Sequence, residues 1–151
     1  MPEPITTRLA PIRRRFAARL LDGLLIVIVG FVLVVAFGGI HLDNGTYDIP
    51  GWAQWAMWLL AVSYEVVLTA STGQTLGKRV LGLRVADATT GAVPDLDQSL
   101  RRSVPTLLQQ VPIISAVAWL LYAPVLWSPR RQGYHDRFAG TVVLDVRADL
   151  L

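Results

Sequence analysis

Arg15, Arg19 and Asp22 sit at i, i+4 and i+7 in the stretch RRRFAARLLDG, so a helix there carries two guanidiniums and a carboxylate on one face over two turns. Asp22 stands just inside a long apolar run. An ionised side chain at the centre of a bilayer is disfavoured by about 2.5–3.5 kcal/mol on insertion scales, so such a carboxylate needs a partner or a task. One reading pairs it with an arginine, Arg15 above all. The other has it bind a proton or a cation in a protein-lined pocket. Glu65, with Ser63 and Tyr64 beside it, is a second acid within an apolar run. It reads either as the partner of a basic residue such as Lys78 or as a second titrating carboxylate facing Asp22.

GQTLGKR at residues 73–79 invites comparison with a phosphate-binding loop and fails it. The spacing between Gly73 and Gly77 is one residue short, and Arg79 stands where a Ser or Thr would meet magnesium. A tight turn at the exit of a membrane helix is expected instead, with both glycines supplying unusual backbone conformations; no nucleotide is expected. GYHDRFAGT at residues 133–141 sets His135 beside Asp136, yet no serine nucleophile or ligand cluster accompanies them, and the chain has no cysteine. The expectation is therefore no enzyme, no metal and no cofactor. Asp136 is expected to pair with an arginine, Arg15 or Arg102, and His135 could make that pairing pH-sensitive.

These residues need elements to hold them. The 151 residues are 53% hydrophobic, and the apolar ones are gathered in blocks, which points to a polytopic membrane protein. A basic amino-terminal stretch, residues 1–19, precedes a first transmembrane helix over 20–40, read as an uncleaved span because it is longer than a signal-peptide core. A short external loop, 41–51, leads to a second span over 52–70 that opens with Trp52, Trp55 and Trp58, as an interfacial aromatic belt would. The loop 71–103 and the tail 128–151 are rich in arginine, so by the positive-inside rule the amino terminus and the middle loop are expected in the cytoplasm. Basic residues this dispersed read as lipid anchors and not as a nucleic-acid surface.

A strand is expected at 80–87, able to pair with GTVVLDV in the tail if both lie on one side. After it, Asp95 is expected to cap an amphipathic helix with Leu96, Leu100 and Leu107 on one side and Asp97, Gln98, Arg101 and Arg102 on the other, lying at the interface with its arginines near lipid phosphates. The third apolar segment, 104–127, is broken by Pro105, Pro112 and Pro124. It either crosses once or enters as a re-entrant hairpin, and pairing of the two strands favours the hairpin. The fold class is thus an all-α membrane protein of two transmembrane helices and a proline-broken third segment, with a small β-paired cytoplasmic loop and tail.

RFAARLLD, GQTLGKRVLGLRVADATTG and RQGYHDRFAGTVV, in that order, resemble the RDD family of bacterial integral membrane proteins, named for one arginine and two aspartates. The resemblance runs from Arg15 to Val143. It implies that Arg15, Asp22 and Asp136 form one constellation, and that Glu65, the GQTLGK turn and Arg102 also occupy positions where members have matching residues. Arg19 stands outside the resemblance as a local addition. Two functions are implied for a protein of the bacterial inner membrane. One is cation/proton-coupled or small-solute transport through the intramembrane carboxylates, as a homo-oligomer. The other is a non-transporting accessory or scaffold subunit of a larger membrane complex, with the Arg–Asp–Asp set as a structural clasp.

Overall fold

The computed structural model describes residues 9–37, 41–43, 46–48, 50–108, 126, 128–129 and 131–147. Pro11, held extended, leads into helix α1 (Ile12–Ala36), whose 25 residues exceed what is needed to cross a hydrocarbon core about 30 Å thick. The helix begins at Ile12 and not near residue 20, so Arg13, Arg14, Arg15 and Arg19 are part of it. Straight-chain arginine and alanine favour the helix and carry it out of the apolar run.

The second long helix, α2 (Gly51–Thr72), runs antiparallel to α1. Asp22 and Arg19 of α1 meet Tyr64 and Glu65 of α2 near one end, while Gly30 lies against the Met57 thioether further along. A Cβ at Gly30 would meet only the flexible end of the Met57 side chain, so this glycine makes room for that thioether between the helices. Both helices are long and apolar enough to cross a membrane. Phe16, Leu20, Leu24, Val27 and Phe31 of α1 and Trp52, Trp55, Leu59 and Val67 of α2 face outward. So large an apolar surface is stable only against lipid or protein.

Between the long helices, β1 (His41–Asp43) and β2 (Thr46–Asp48) pair antiparallel, where the sequence reading expected only a loop. The signal was present in Asn44-Gly45, a dipeptide that favours tight hairpins. At the far end of α2, Gly73 adopts a left-handed conformation (φ +71°) and donates its N–H to the Thr69 carbonyl (2.9 Å), closing the helix. A short helix α3 (Leu76–Val80) follows, and Gly82 at φ +65° turns the chain into strand β3 (Leu83–Asp87). The strand therefore starts later than expected, because Leu76–Val80 is spent on a helical turn.

Asp95 caps helix α4 (Leu96–Arg102) through a capping box: its carboxylate accepts from the Gln98 N–H (2.7 Å), and the Gln98 side chain accepts from the Asp95 N–H (3.2 Å). Leu96, Leu100, Asp97 and Arg101 are exposed, but Arg102, expected on the polar side near lipid phosphates, is buried with Ser99, because it turns inward to an ionic partner. Helix α5 (Val104–Leu108) carries Leu107 separately. The spanning or re-entrant expectation for 104–127 falls mostly on 109–125, outside the described residues.

Helix α6 (Tyr134–Phe138) and strand β4 (Thr141–Asp145) complete the described chain. The strand β4 pairs antiparallel with β3, Leu83 opposite Asp145, Val85 opposite Val143 and Asp87 opposite Thr141. On the outer side of β3, the Val85 N–H reaches the Gly73 carbonyl (2.7 Å); on the outer side of β4, the Val143 carbonyl takes the Ala10 N–H (2.9 Å). Ala10, Ala18, Leu83, Val85 and Val143 make the small apolar core here, with Leu81 packed on it. The start of α1, the end of α2, the middle loop and the tail thus share one end of a mostly helical protein with two small sheets.

Val85 and Val143 face each other where neither donates across the ladder, the close-approach position of an antiparallel pair. Because the chain has no cysteine, a Val85→Cys/Val143→Cys double variant is expected to form a disulfide on mild oxidation, seen as a mobility shift reversed by reductant. Val85→Cys/Val142→Cys, one residue out of register, is expected not to cross-link.

Candidate functional site: a buried polar cluster at one end of the helix pair

The cluster begins with Asp22, buried on α1. Its Oδ1 accepts from the Tyr64 hydroxyl (2.6 Å) and from the Gly77 N–H (2.8 Å), and its Oδ2 accepts from the Thr75 hydroxyl (2.6 Å). The Tyr64 hydroxyl in turn accepts the Leu76 N–H (2.9 Å). All these partners are neutral. The expected pairing of Asp22 with Arg15 is therefore corrected: the carboxylate is held by donors from α2 and the GQTLGK loop. Gly77 explains why the loop can come so close. A Cβ at this position would collide with the Ala18 carbonyl oxygen and stand 2.9 Å from Asp22 Oδ1. Its backbone lies in α3 with no positive φ, so close approach, and not the expected turn conformation, requires glycine; only Gly73 supplies the left-handed residue.

Glu65, buried on α2, faces Arg19 (2.8 Å). The Thr106 hydroxyl donates to Glu65 Oε2 (2.8 Å) and accepts from Arg19 (2.9 Å), and the Trp58 indole N–H reaches the Thr106 carbonyl (3.2 Å). Helix α5 is thereby fastened to both long helices. Arg19, expected to lie outside any shared arrangement, is the direct ion-pair partner of Glu65, a place expected for Lys78.

Asp136, only 1% exposed, anchors the tail. Arg102 pairs with its Oδ1 and donates to the Thr141 hydroxyl (3.0 Å); Arg15 lies 3.6 Å from its Oδ2; and the Gly133 N–H donates to that same oxygen (3.1 Å). Both arginines considered as partners therefore surround one carboxylate. Arg15 also donates to the Arg131 and Val143 carbonyls, the latter at 3.1 Å. His135 Nε2 is 3.3 Å from Asp136 Oδ1, and no third acid or histidine joins them among the described residues. At the rim, Arg14 binds Asp145 (2.5 Å). Asp87, held down to about pKa 2 by the Thr90 N–H and the Gln98 amide, ties the end of β3 to α4.

Lys78 is the least satisfied member. It is buried on α3, and among the described residues no carboxylate comes within ion-pair distance of its ammonium. Burial lowers its pKa to about 8, and repulsion from Arg102 adds to this; attraction from Glu65 and Asp22 offsets only part. The arrangement thus joins two well-satisfied acids at the α1–α2 interface, Asp22 and Glu65, to a third, Asp136, through the cations Lys78, Arg102 and Arg15.

Replacing Gly77 by alanine is expected to destabilise the fold by about 1–3 kcal/mol, since the added methyl must push α3 off α1; chemical denaturation in detergent measures it. For Lys78, an unfolded lysine retains its proton up to about 10.5 while the folded one loses it near 8. Across that window the unfolded chain binds more protons, so this group's contribution makes stability rise with pH. Lys78→Met is expected to match or exceed the parent's melting temperature at pH 7 and to lose that rise. A Met variant that melts lower at pH 7 would show the buried ammonium to be a net stabiliser.

With the geometry established, similarity to known proteins identifies the group. A family model, that of the RDD family, matches residues 9–140. An uncharacterized membrane protein of Bacillus subtilis (strain 168), YteJ, is 31% identical over 133 residues, covering 86% of this chain and 77% of the relative. An uncharacterized protein of Rickettsia prowazekii (strain Madrid E), RP437, is 31% identical over 86 residues, covering 57% of this chain and 44% of the relative. No solved structure matches. A match over nearly the whole described cluster, together with two apolar helices long enough to span, means that this chain is a membrane protein of the RDD family.

Proposed function

We propose that the chain is a non-enzymatic, multi-pass module of the bacterial inner membrane that serves as an accessory or scaffold part of a larger membrane assembly. Its Arg15–Asp22–Asp136 set is a structural clasp fastening loop and tail to the helix pair. The single observation that carries this reading is how Asp22 is engaged: three neutral donors built into the fold, Tyr64, Thr75 and Gly77, hold its carboxylate. A carboxylate engaged by donors built into the fold must break those bonds before it can exchange a cation or a proton, which opposes rapid turnover. The outward apolar faces of α1 and α2 supply surface for lipid or for a partner helix. The concentration of arginines at the clasped end supports a cytoplasmic placement for that end.

Cation/proton-coupled transport is the second reading, and Lys78 favours it. A buried amine with a pKa near 8 between two acids is a group that can gain and lose a proton at physiological pH. In that reading Glu65 and Lys78 are the stations, and an oligomer supplies the walls of the pathway.

The two part company in liposomes loaded with a pH dye. Under imposed sodium or potassium gradients, wild type is expected to move no protons, and Asp22→Asn, which gives up the charge-assisted bonds and leaves the buried Thr75 hydroxyl without its acceptor, is expected to lose about 1–3 kcal/mol of stability. Gradient-driven proton movement by wild type that disappears in a fully folded Asp22→Asn would overturn the clasp and establish transport.

A further inference from the structure

Beside the first turn of α1, outside the buried cluster, an open cavity of about 610 Å³ is lined by Ile12, Arg13, Leu126, Ser128, Pro129 and Arg131, with Pro11 at its edge. Its described lining combines two arginines and a serine with proline and aliphatic residues, and none of these described lining residues is an acid. That absence is significant, because the neighbouring arginines of α1 all find carboxylates: Arg14 has Asp145, Arg15 has Asp136 and Arg19 has Glu65. Among the described residues, Arg13 and Arg131 have none.

The position of Arg131 is built. Its backbone takes φ +48°, a left-handed conformation that costs a non-glycine residue about 1–2 kcal/mol. The turn is held from both sides: the Arg131 N–H donates to the Ser128 carbonyl (2.8 Å), and Arg15 donates to the Arg131 carbonyl. Next in the chain, the Gln132 amide reaches the Thr141 carbonyl (2.7 Å), tying the turn to β4. The fold therefore holds a cationic residue in an unfavourable conformation at the cavity, close enough for its charge to act on Arg15. Like charges gathered this way are relieved by an anion. The cavity lies at the arginine-bearing end of the apolar helix α1, one turn from outward-facing Phe16, and basic residues beside an apolar span suit the level of lipid headgroups.

We propose that this cavity binds the phosphate of an anionic lipid, with Arg13 and Arg131 on the phosphate oxygens and Ile12, Leu126 and Pro129 against the first carbons of its glycerol and acyl chains. Guanidinium forks suit phosphate geometry, and the apolar rim distinguishes a lipid phosphate from the free ion. The site uses neither Asp22 nor Asp136 for its ligand, and it meets the clasp only at Arg15, which holds the Arg131 carbonyl.

The test titrates the purified full chain, in a neutral detergent, with short-chain phosphatidylglycerol below its micelle concentration, following the thermal shift. Short-chain phosphatidylcholine and inorganic phosphate run in parallel. Phosphatidylglycerol alone is expected to raise the melting temperature, with an apparent affinity weakened about tenfold or more in Arg13→Gln/Arg131→Gln, since each basic contact with an anionic lipid is worth about 1 kcal/mol. Arg13→Gln alone, at an exposed site that leaves the strained turn untouched, is expected to show an intermediate loss if the double variant folds poorly. Arg79→Gln, which removes an exposed arginine elsewhere, is expected to keep the full response. An equal shift from inorganic phosphate would make this a site for the free ion. An equal shift from phosphatidylcholine, or an equal loss in Arg79→Gln, would reduce it to general detergent or charge effects. Each of those three outcomes overturns the proposal, as does an unchanged affinity in the double variant.

Discussion

A carboxylate set into an apolar helix must be given hydrogen-bond donors, and most of the architecture at one end of this protein follows from supplying them to Asp22. The donors come from Tyr64 on the second helix and from Thr75 and Gly77 in the loop beyond it. Bringing a backbone N–H to a helix side chain means bringing backbone against backbone, which only glycine at position 77 permits. Once α3 is seated there, Gly73 and Gly82 direct the chain into β3, and β3 gives the tail strand something to pair with. The familiar expectation that a buried aspartate seeks the nearest arginine fails because neutral donors satisfy it without importing a second charge that would itself need desolvation.

The remaining buried charges obey the same constraint with a different solution. Asp136 and Glu65 do take guanidiniums, and each also takes a neutral donor, Gly133 N–H for one and the Thr106 hydroxyl for the other. Each pair spans elements far apart in the chain, α4 with α6 and α1 with α2, so the ionic bonds act as long-range fasteners where apolar side chains are few. Such pairs contribute little net stability over an apolar replacement, but removing one partner is costly. They specify which elements dock more than they add to the strength of docking.

Much of this was legible in the sequence. The two spans, the strand pairing of the loop with the tail, the cap at Asp95 and the gathering of arginines around Asp136 all follow from local pattern or charge. What could not be read shares one cause. That Arg102 turns inward while Asp97 and Arg101 of the same helix stay at the surface depends on what α4 meets, and it meets Asp136 through Arg102. Amphipathic reasoning assigns every charged residue of such a helix to its outer side, which fails where part of the interior is ionic. Likewise Gly77 looks identical to Gly73 in the sequence, although one serves packing and the other serves a left-handed turn. The role of Arg19 was missed for a related reason: its partner, Glu65, lies on a different helix, and spacing within one helix is silent on that.

The separation between partners along the chain has a consequence for biogenesis. Asp22 meets its loop donors 53 and 55 residues later, whereas Arg15 meets Arg131 and Val143 after 116 and 128 residues. A ribosome making the chain from its amino terminus therefore delivers the first helix to the membrane with its carboxylate satisfied early and its arginine satisfied last. Until α6 is synthesised, Arg15 and Arg102 lack Asp136, and until β4 follows it the apolar core of Ala10, Leu83 and Val85 lacks Val143. A chain cut short before residue 136 lacks the Asp136 carboxylate that Arg15 faces and leaves the β3 edge without its partner strand. Arrival of the last strand completes the charge pairing and the sheet together.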